Sequence, residues 1–180
     1  LAETADNVKG ALQEHGGETV FEYKFDGARV QIHRIGDEVR VYSRKLTDVT
    51  ESVPDIVEQV RNKLPKTSMI VEGEVIAIGR DNKPLPFQDL MRRFTRVNDV
   101  AATAKMIPLK LHLFDLLYLN GVLLIDQPYT ARWGLLIKIA PPEILAEHFL
   151  TRSAEEAEQF LKAAMQAGHE GLMAKRLDSF

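Results

Sequence analysis

Glu22-Tyr23-Lys24-Phe25-Asp26-Gly27-Ala28-Arg29 is the stretch from which the rest of the chain is best read. Val20 to Lys24 is a strand by composition, Gly27 marks a turn, and Arg29 to Ile35 alternates as a second strand. A lysine therefore stands at the end of a strand, with a carboxylate two residues on and an arginine just past a glycine turn. Protonated lysine, with an ordinary pKa of about 10.4, is a poor nucleophile. Desolvation or neighbouring cations lower that value, and the free amine can attack an electrophile. Glycine lets backbone approach a phosphate, and arginine grips phosphate oxygens with a planar fork. The combination suggests phosphoryl or nucleotidyl chemistry, although the window by itself also suits a strand-turn-strand with surface charges.

Outward from this window, Glu38 to Ser43 returns as a strand after the Gly36-Asp37 hairpin signal. Pro54 opens a helix to Lys63, with Ile56, Val57, Val60 and Leu64 on one face. Met69 to Ile78 and Leu109 to Leu119 are β-prone runs, and Asn120-Gly121 is a hairpin turn. Helices are expected over Thr4 to Glu14, Pro86 to Phe94, within Val97 to Pro108, and over Thr130 to Ile139. Ser153 with Glu156 forms a capping box for a helix to Gln166, and Gly171 to Leu177 closes as a strand. Hairpins with helices between them favour an α+β domain of mainly antiparallel sheets flanked by helices.

At 180 residues and 45% apolar composition, the chain suits one domain over residues 1–180 with its own core. No apolar run approaches the roughly 20 residues needed to cross a bilayer. Leu109 to Ile125 is broken by Lys110, His112, Asp115 and Asn120-Gly121. The start, Leu1-Ala2-Glu3-Thr4, is no basic-then-apolar leader, so an intracellular home is expected, cytoplasmic in a prokaryote or nuclear in a eukaryote. Cysteine is absent, which excludes disulfides and thiolate metal sites. A net charge of −3 argues against this piece alone gripping DNA strongly, because that affinity rests on lysine and arginine against phosphates. The missing initiator Met and the stop at Phe180, soon after a strand, suggest an excised piece of a longer protein.

Lys24-x-Asp26-Gly27-x-Arg29 resembles the active-site motif of the covalent nucleotidyltransferases: DNA ligases, RNA ligases and mRNA capping enzymes. Five further segments resemble the same family, in its order: Ser43-Arg44, Val71-Glu72-Gly73-Glu74-Val75, Pro86-Phe87-Gln88, Leu113 to Gly121, and Glu170-Gly171-Leu172-Met173-Ala174-Lys175. The wording of the first and third motifs is closest to ATP-dependent DNA ligases of archaeal and eukaryotic type. The match spans Thr19 to Asp178, and six motifs in order make chance a poor explanation.

The resemblance implies that Lys24 attacks the α-phosphate of ATP, becomes lysyl-AMP and passes AMP to the 5′-phosphate of a DNA nick. Glu22 would read the adenine amine, and Phe114 would stack on the base. Arg29 and Arg44 would hold the nucleotide or the DNA 5′-phosphate, with their division of duties open. Glu74 would contact the ribose or a metal, Glu170 would bind Mg²⁺, and Lys175 would neutralise phosphate. Asp26 serves either the turn or a metal, Glu72 gives support or is merely exposed, and Asp115 calls for a structural hydrogen bond because burying it alone is costly. The five histidines show no metal-ligand spacing, and Tyr129 and Trp133 are read as packing residues. The resemblance also implies a following lysine motif and an OB domain beyond Phe180, a monomer acting on nicked double-stranded DNA, and a service in replication, repair or recombination. Two alternatives stay open: an RNA ligase or capping guanylyltransferase, and a non-catalytic nucleotide-binding module.

Overall fold

The alternation read from the sequence builds two antiparallel sheets in a computed structural model that describes residues 4–94 and 98–180. In chain order its elements begin with α1 (Val8–Glu14), β1 (Thr19–Lys24), β2 (Ala28–Ile35), β3 (Glu38–Ser43), α2 (Pro54–Lys63) and β4 (Met69–Ala77). There follow α3 (Phe87–Phe94), α4 (Val100–Met106), β5 (Leu109–Leu119), β6 (Val122–Leu123) and α5 (Tyr129–Ile139). The chain closes with β7 (His148–Thr151), α6 (Ala154–Gln166) and β8 (Gly171–Lys175). One sheet has the order β7-β1-β8 and the other β3-β2-β4-β5-β6. The expected α+β class with antiparallel sheets is what the chain adopts.

Strand alternation assigns each sheet an inner and an outer face. In β1, Phe21 faces helices α1 and α6, in a cluster with Val8, Leu12 and Ala157 and with Leu172 and Ala174 of β8 packed against it. Glu22 and Lys24 then belong to the opposite face. In the larger sheet, Val30, Ile32, Val71, Val75, Leu111 and Leu113 meet Ile56 and Val60 of α2, Leu90 of α3 and Leu136 of α5. Each such side chain, fully buried, contributes about 1.5–3 kcal/mol relative to exposure. Lys24 sits where the chain leaves one sheet for the other, since β1 ends at Lys24 and β2 begins at Ala28.

Several boundaries differ from expectation. The first helix starts at Val8 rather than Thr4, because the Asn7 side chain accepts from the Gly10 N–H at 2.9 Å and caps it there. The last strand ends at Lys175 rather than Leu177, where an Arg176–Asp178 ion pair closes a turn. Strand β7 was not expected at all. The helix foreseen within Val97 to Pro108 is α4, and Val97 itself lies outside the described residues. The capping box is only half formed. Ser153 Oγ accepts from the Glu156 N–H at 3.3 Å, but the Glu156 carboxylate takes the Thr151 hydroxyl, and Thr151 in turn accepts from the Ser153 N–H.

Candidate active site

Lys24 and Glu170 form an ion pair through Nζ and Oε2, with both side chains nearly half exposed. Backbone enforces this meeting. Lys24 is opposite Gly171 in the β1–β8 ladder, and the Glu170 N–H donates to the Lys24 carbonyl at 3.0 Å. Asp26 is exposed on the crossover beyond. Gly27 is there because nothing larger fits: a Cβ at this position would lie 2.5 Å from the Val75 carbonyl oxygen and 2.7 Å from Glu74 Cγ. The crossover thus lies flush against β4 and its Glu74.

Glu74 pairs with Arg29 across the β2–β4 ladder and with His112 across β4–β5. Burial pushes its carboxyl up to about 7, against the pull of Arg29, Lys24 and Arg44 and helped by Asp26. It makes no hydrogen bond or ion pair among the described residues. Arg44 is exposed just beyond β3 and reaches the site as a charge. Glu72, nine-tenths buried, holds Arg29 in an ion pair at 2.5 Å and accepts from Gln31 at 3.3 Å. Support, one of the two roles foreseen for Glu72, is what its contacts provide.

The end of the site around Phe114 depends on a bulge. On β5, Leu113 pairs with Gly73 and Asp115 with Glu72, which leaves Phe114 as an inserted residue. A bulge re-aims a side chain, and here the ring meets the Arg29 guanidinium at 5.8 Å and the Lys175 ammonium at 4.9 Å from its centroid. Lys175 Nζ also lies 2.6 Å from Glu22 Oε2. Its contacts are with the carboxylate and rings at this end. Glu22 is 3% exposed, and burial raises its carboxyl while Lys175 and the Tyr129 hydroxyl lower it.

Tyr129 is more than a packing residue: its hydroxyl donates to Glu22 Oε1, and burial with the Glu22 charge pushes that phenol upward. A tyrosine opening a helix gave no sequence signal for this contact, because the partner is 107 residues away. Trp133 does pack, parallel to the His148 ring at 4.3 Å. Asp115 has the structural role expected, accepting from Arg132 Nε at 2.8 Å and Nη2 at 3.1 Å. Pro86-Phe87-Gln88 forms the start of α3. Two open depressions lie elsewhere, and one of about 360 Å³ is bordered by the ion-paired Arg152 with Glu18 and Arg176 with Asp178.

A row of groups linked by charge, strand pairing or ring contact therefore runs from the nucleophile candidate across the site: Lys24, Glu74, Arg29, Phe114, Lys175 and Glu22. Two carboxylates answer to the lysine: Glu170 by an ion pair and Glu74 by its charge. Among the described residues, no group of three or more His, Asp or Glu side chains is placed to hold a metal ion. Two carboxylates are a donor set of the kind that suits Mg²⁺, which is usually held by one or two carboxylates with phosphate and water completing its shell.

This two-sheet fold with a lysine at the crossover is that of a nucleotidyltransferase domain. It superposes on a mycobacterial DNA ligase D complexed with ATP and MES with a TM-score of 0.68 and 26% identity, covering 90% of this chain and 49% of that one. The family model described as ATP dependent DNA ligase domain matches residues 1–180, and the chain belongs to that family. A DNA ligase of Thermococcus fumicolans is 50% identical over 99% of the chain and 33% of its own length. A DNA ligase of Methanothrix thermoacetophila is 47% identical over 99% of the chain and 32% of its length. The chain spans about a third of the length of these relatives. Among the described residues, no helix is long and apolar enough to cross a membrane.

Proposed function

We propose that residues 1–180 are the adenylation domain of a longer, intracellular, ATP-dependent DNA ligase that acts as a monomer on nicked double-stranded DNA. The observation that carries this reading is the placement of Lys24 at the sheet crossover, paired with Glu170, with Gly27 of the same crossover flush against Glu74. Released from Glu170 and stripped of its extra proton, the Lys24 nitrogen attacks the α-phosphorus of ATP. A P–N bond forms, the bond to the bridging oxygen breaks, pyrophosphate leaves, and the displaced protons pass to solvent. A 5′-phosphate oxygen of the nick then attacks the same phosphorus and frees the lysine. The 3′-hydroxyl finally attacks the nick phosphate, expelling AMP and closing the backbone.

Such in-line displacements are catalysed by positioning and charge neutralisation. Glu22 supplies an acceptor for the adenine exocyclic amine, Phe114 supplies the stacking face, and Arg29 and Arg44 hold phosphate. Lys175 supplies positive charge at the base end. Glu74 and Glu170 would hold Mg²⁺, which neutralises phosphate charge when bound. Lysines beyond Phe180 and an OB domain complete the catalytic set, so nick sealing belongs to the longer protein. Relative to an RNA ligase or capping enzyme, this reading is favoured by the family match across the whole chain. Sealing assays on nicked DNA and nicked RNA, and transfer to RNA with a 5′-diphosphate end, test the acceptor, and labelling with GTP but not ATP would contradict the reading.

A further inference from the structure

His112 is 3% exposed and stands on β5 directly opposite Glu74. Its ring lies nearly parallel to that of Phe25, with centroids 4.3 Å apart and planes at 26°. Phe25 is the first residue of the crossover after Lys24, and it meets His169 edge-on at 4.9 Å. His169 precedes Glu170, whose N–H is bonded to the Lys24 carbonyl. The three rings therefore touch both segments that present the Lys24–Glu170 pair, and of the three only His112 is rooted in the five-stranded sheet.

A second link between the sheets passes the same point. Leu145 bridges in parallel to Leu113, and the Ala146 N–H donates to the Leu113 carbonyl at 2.8 Å before the chain enters β7. Glu147, between them, brings Oε2 to 3.7 Å from His112 Nδ1. His112 thus lies where both connections cross. Stacked rings attract one another in preferred offset or edge-on geometries beyond the area they bury.

We propose that His112 is a positioning residue: its ring, stacked on Phe25, sets the Lys24 end of the three-stranded sheet against Glu74 of the five-stranded sheet. The proposal rests on the adenylation reading for its kinetic consequence and on the ring geometry for its structural one. Misplacing a nucleophile by about an ångström costs on the order of 10²-fold in rate. In the full-length protein, His112→Ala should lower the single-turnover rate of Lys24 adenylation at saturating ATP by that order, with ATP affinity near wild type. His112→Phe, which keeps a ring against Phe25, should restore the rate. A second readout needs no ATP chemistry: in nucleotide-free protein, acylation of the Lys24 amine by a small amine-selective reagent should change in His112→Ala and revert in His112→Phe.

An unchanged adenylation rate and unchanged acylation in His112→Ala would overturn the proposal. So would equal losses in the alanine and phenylalanine variants, or a rate loss matched by lost ATP affinity. Failure of the wild-type protein to label at Lys24 would instead refute the adenylation reading and leave the acylation comparison to judge His112.

Discussion

Glu74 is a carboxylate in a pocket that resists its charge, and this sets a conflict between stability and function. Its folded pKa of about 7 lies above the ordinary 4.5. A raised carboxyl binds more protons folded than unfolded, so its ionisation destabilises the fold increasingly as pH rises from 4.5 to 7, and fully above that. Glu74→Gln should therefore stabilise the nucleotide-free protein by about 1–3 kcal/mol at pH 8 and by nothing at pH 4, read by denaturant unfolding. The same variant should lose Lys24 labelling. Glu22 behaves differently, because Lys175 and Tyr129 engage both its oxygens. Tyr129→Phe removes one donor from a buried carboxylate and should cost about 1–3 kcal/mol in urea unfolding, together with weaker ATP binding.

At the scale of elements, the crossover and helix α5 are the tightest constraints. A Cβ at Gly27 would collide with a backbone carbonyl that cannot move without β4. Gly27→Ala should displace the Lys24 turn and slow adenylation on the order of 10²-fold, measured at saturating ATP. Arg132 ties α5 to β5 through two hydrogen bonds to Asp115, with side chains 5% and 15% exposed. Removing one partner strands a charge, so Arg132→Ala should cost about 3–5 kcal/mol in thermal or urea unfolding. Most strands were legible because period-two alternation marks a face, as in β2, and because Asn120-Gly121 fixes the hairpin after β5. Strand β7 was not, because this four-residue edge strand carries exposed Leu150 between half-buried Phe149 and buried Thr151 and shows no apolar face. The bulge at Phe114 is a property of two strands in register, and no single run of residues encodes it visibly. Tyr129 reads as mere packing for the same reason, since its hydrogen bond to Glu22 appears only when α5 is laid against β1.

Across the whole molecule, the candidate site is assembled from both sheets. The smaller sheet brings Glu22, Lys24, Glu170 and Lys175, while the larger brings Arg29, Glu74 and Phe114. Motif order therefore told more about the site than any local pattern, because it marked which distant segments must converge. The family model covers the chain throughout, and the chain spans about a third of its relatives. The most direct test uses the intact protein incubated with ATP labelled at the α-phosphate, followed by peptide mapping. The account predicts one acid-labile adenylate on the peptide carrying Lys24, absent in Lys24→Ala. Label that persists in Lys24→Ala, or that maps to another residue, would contradict it.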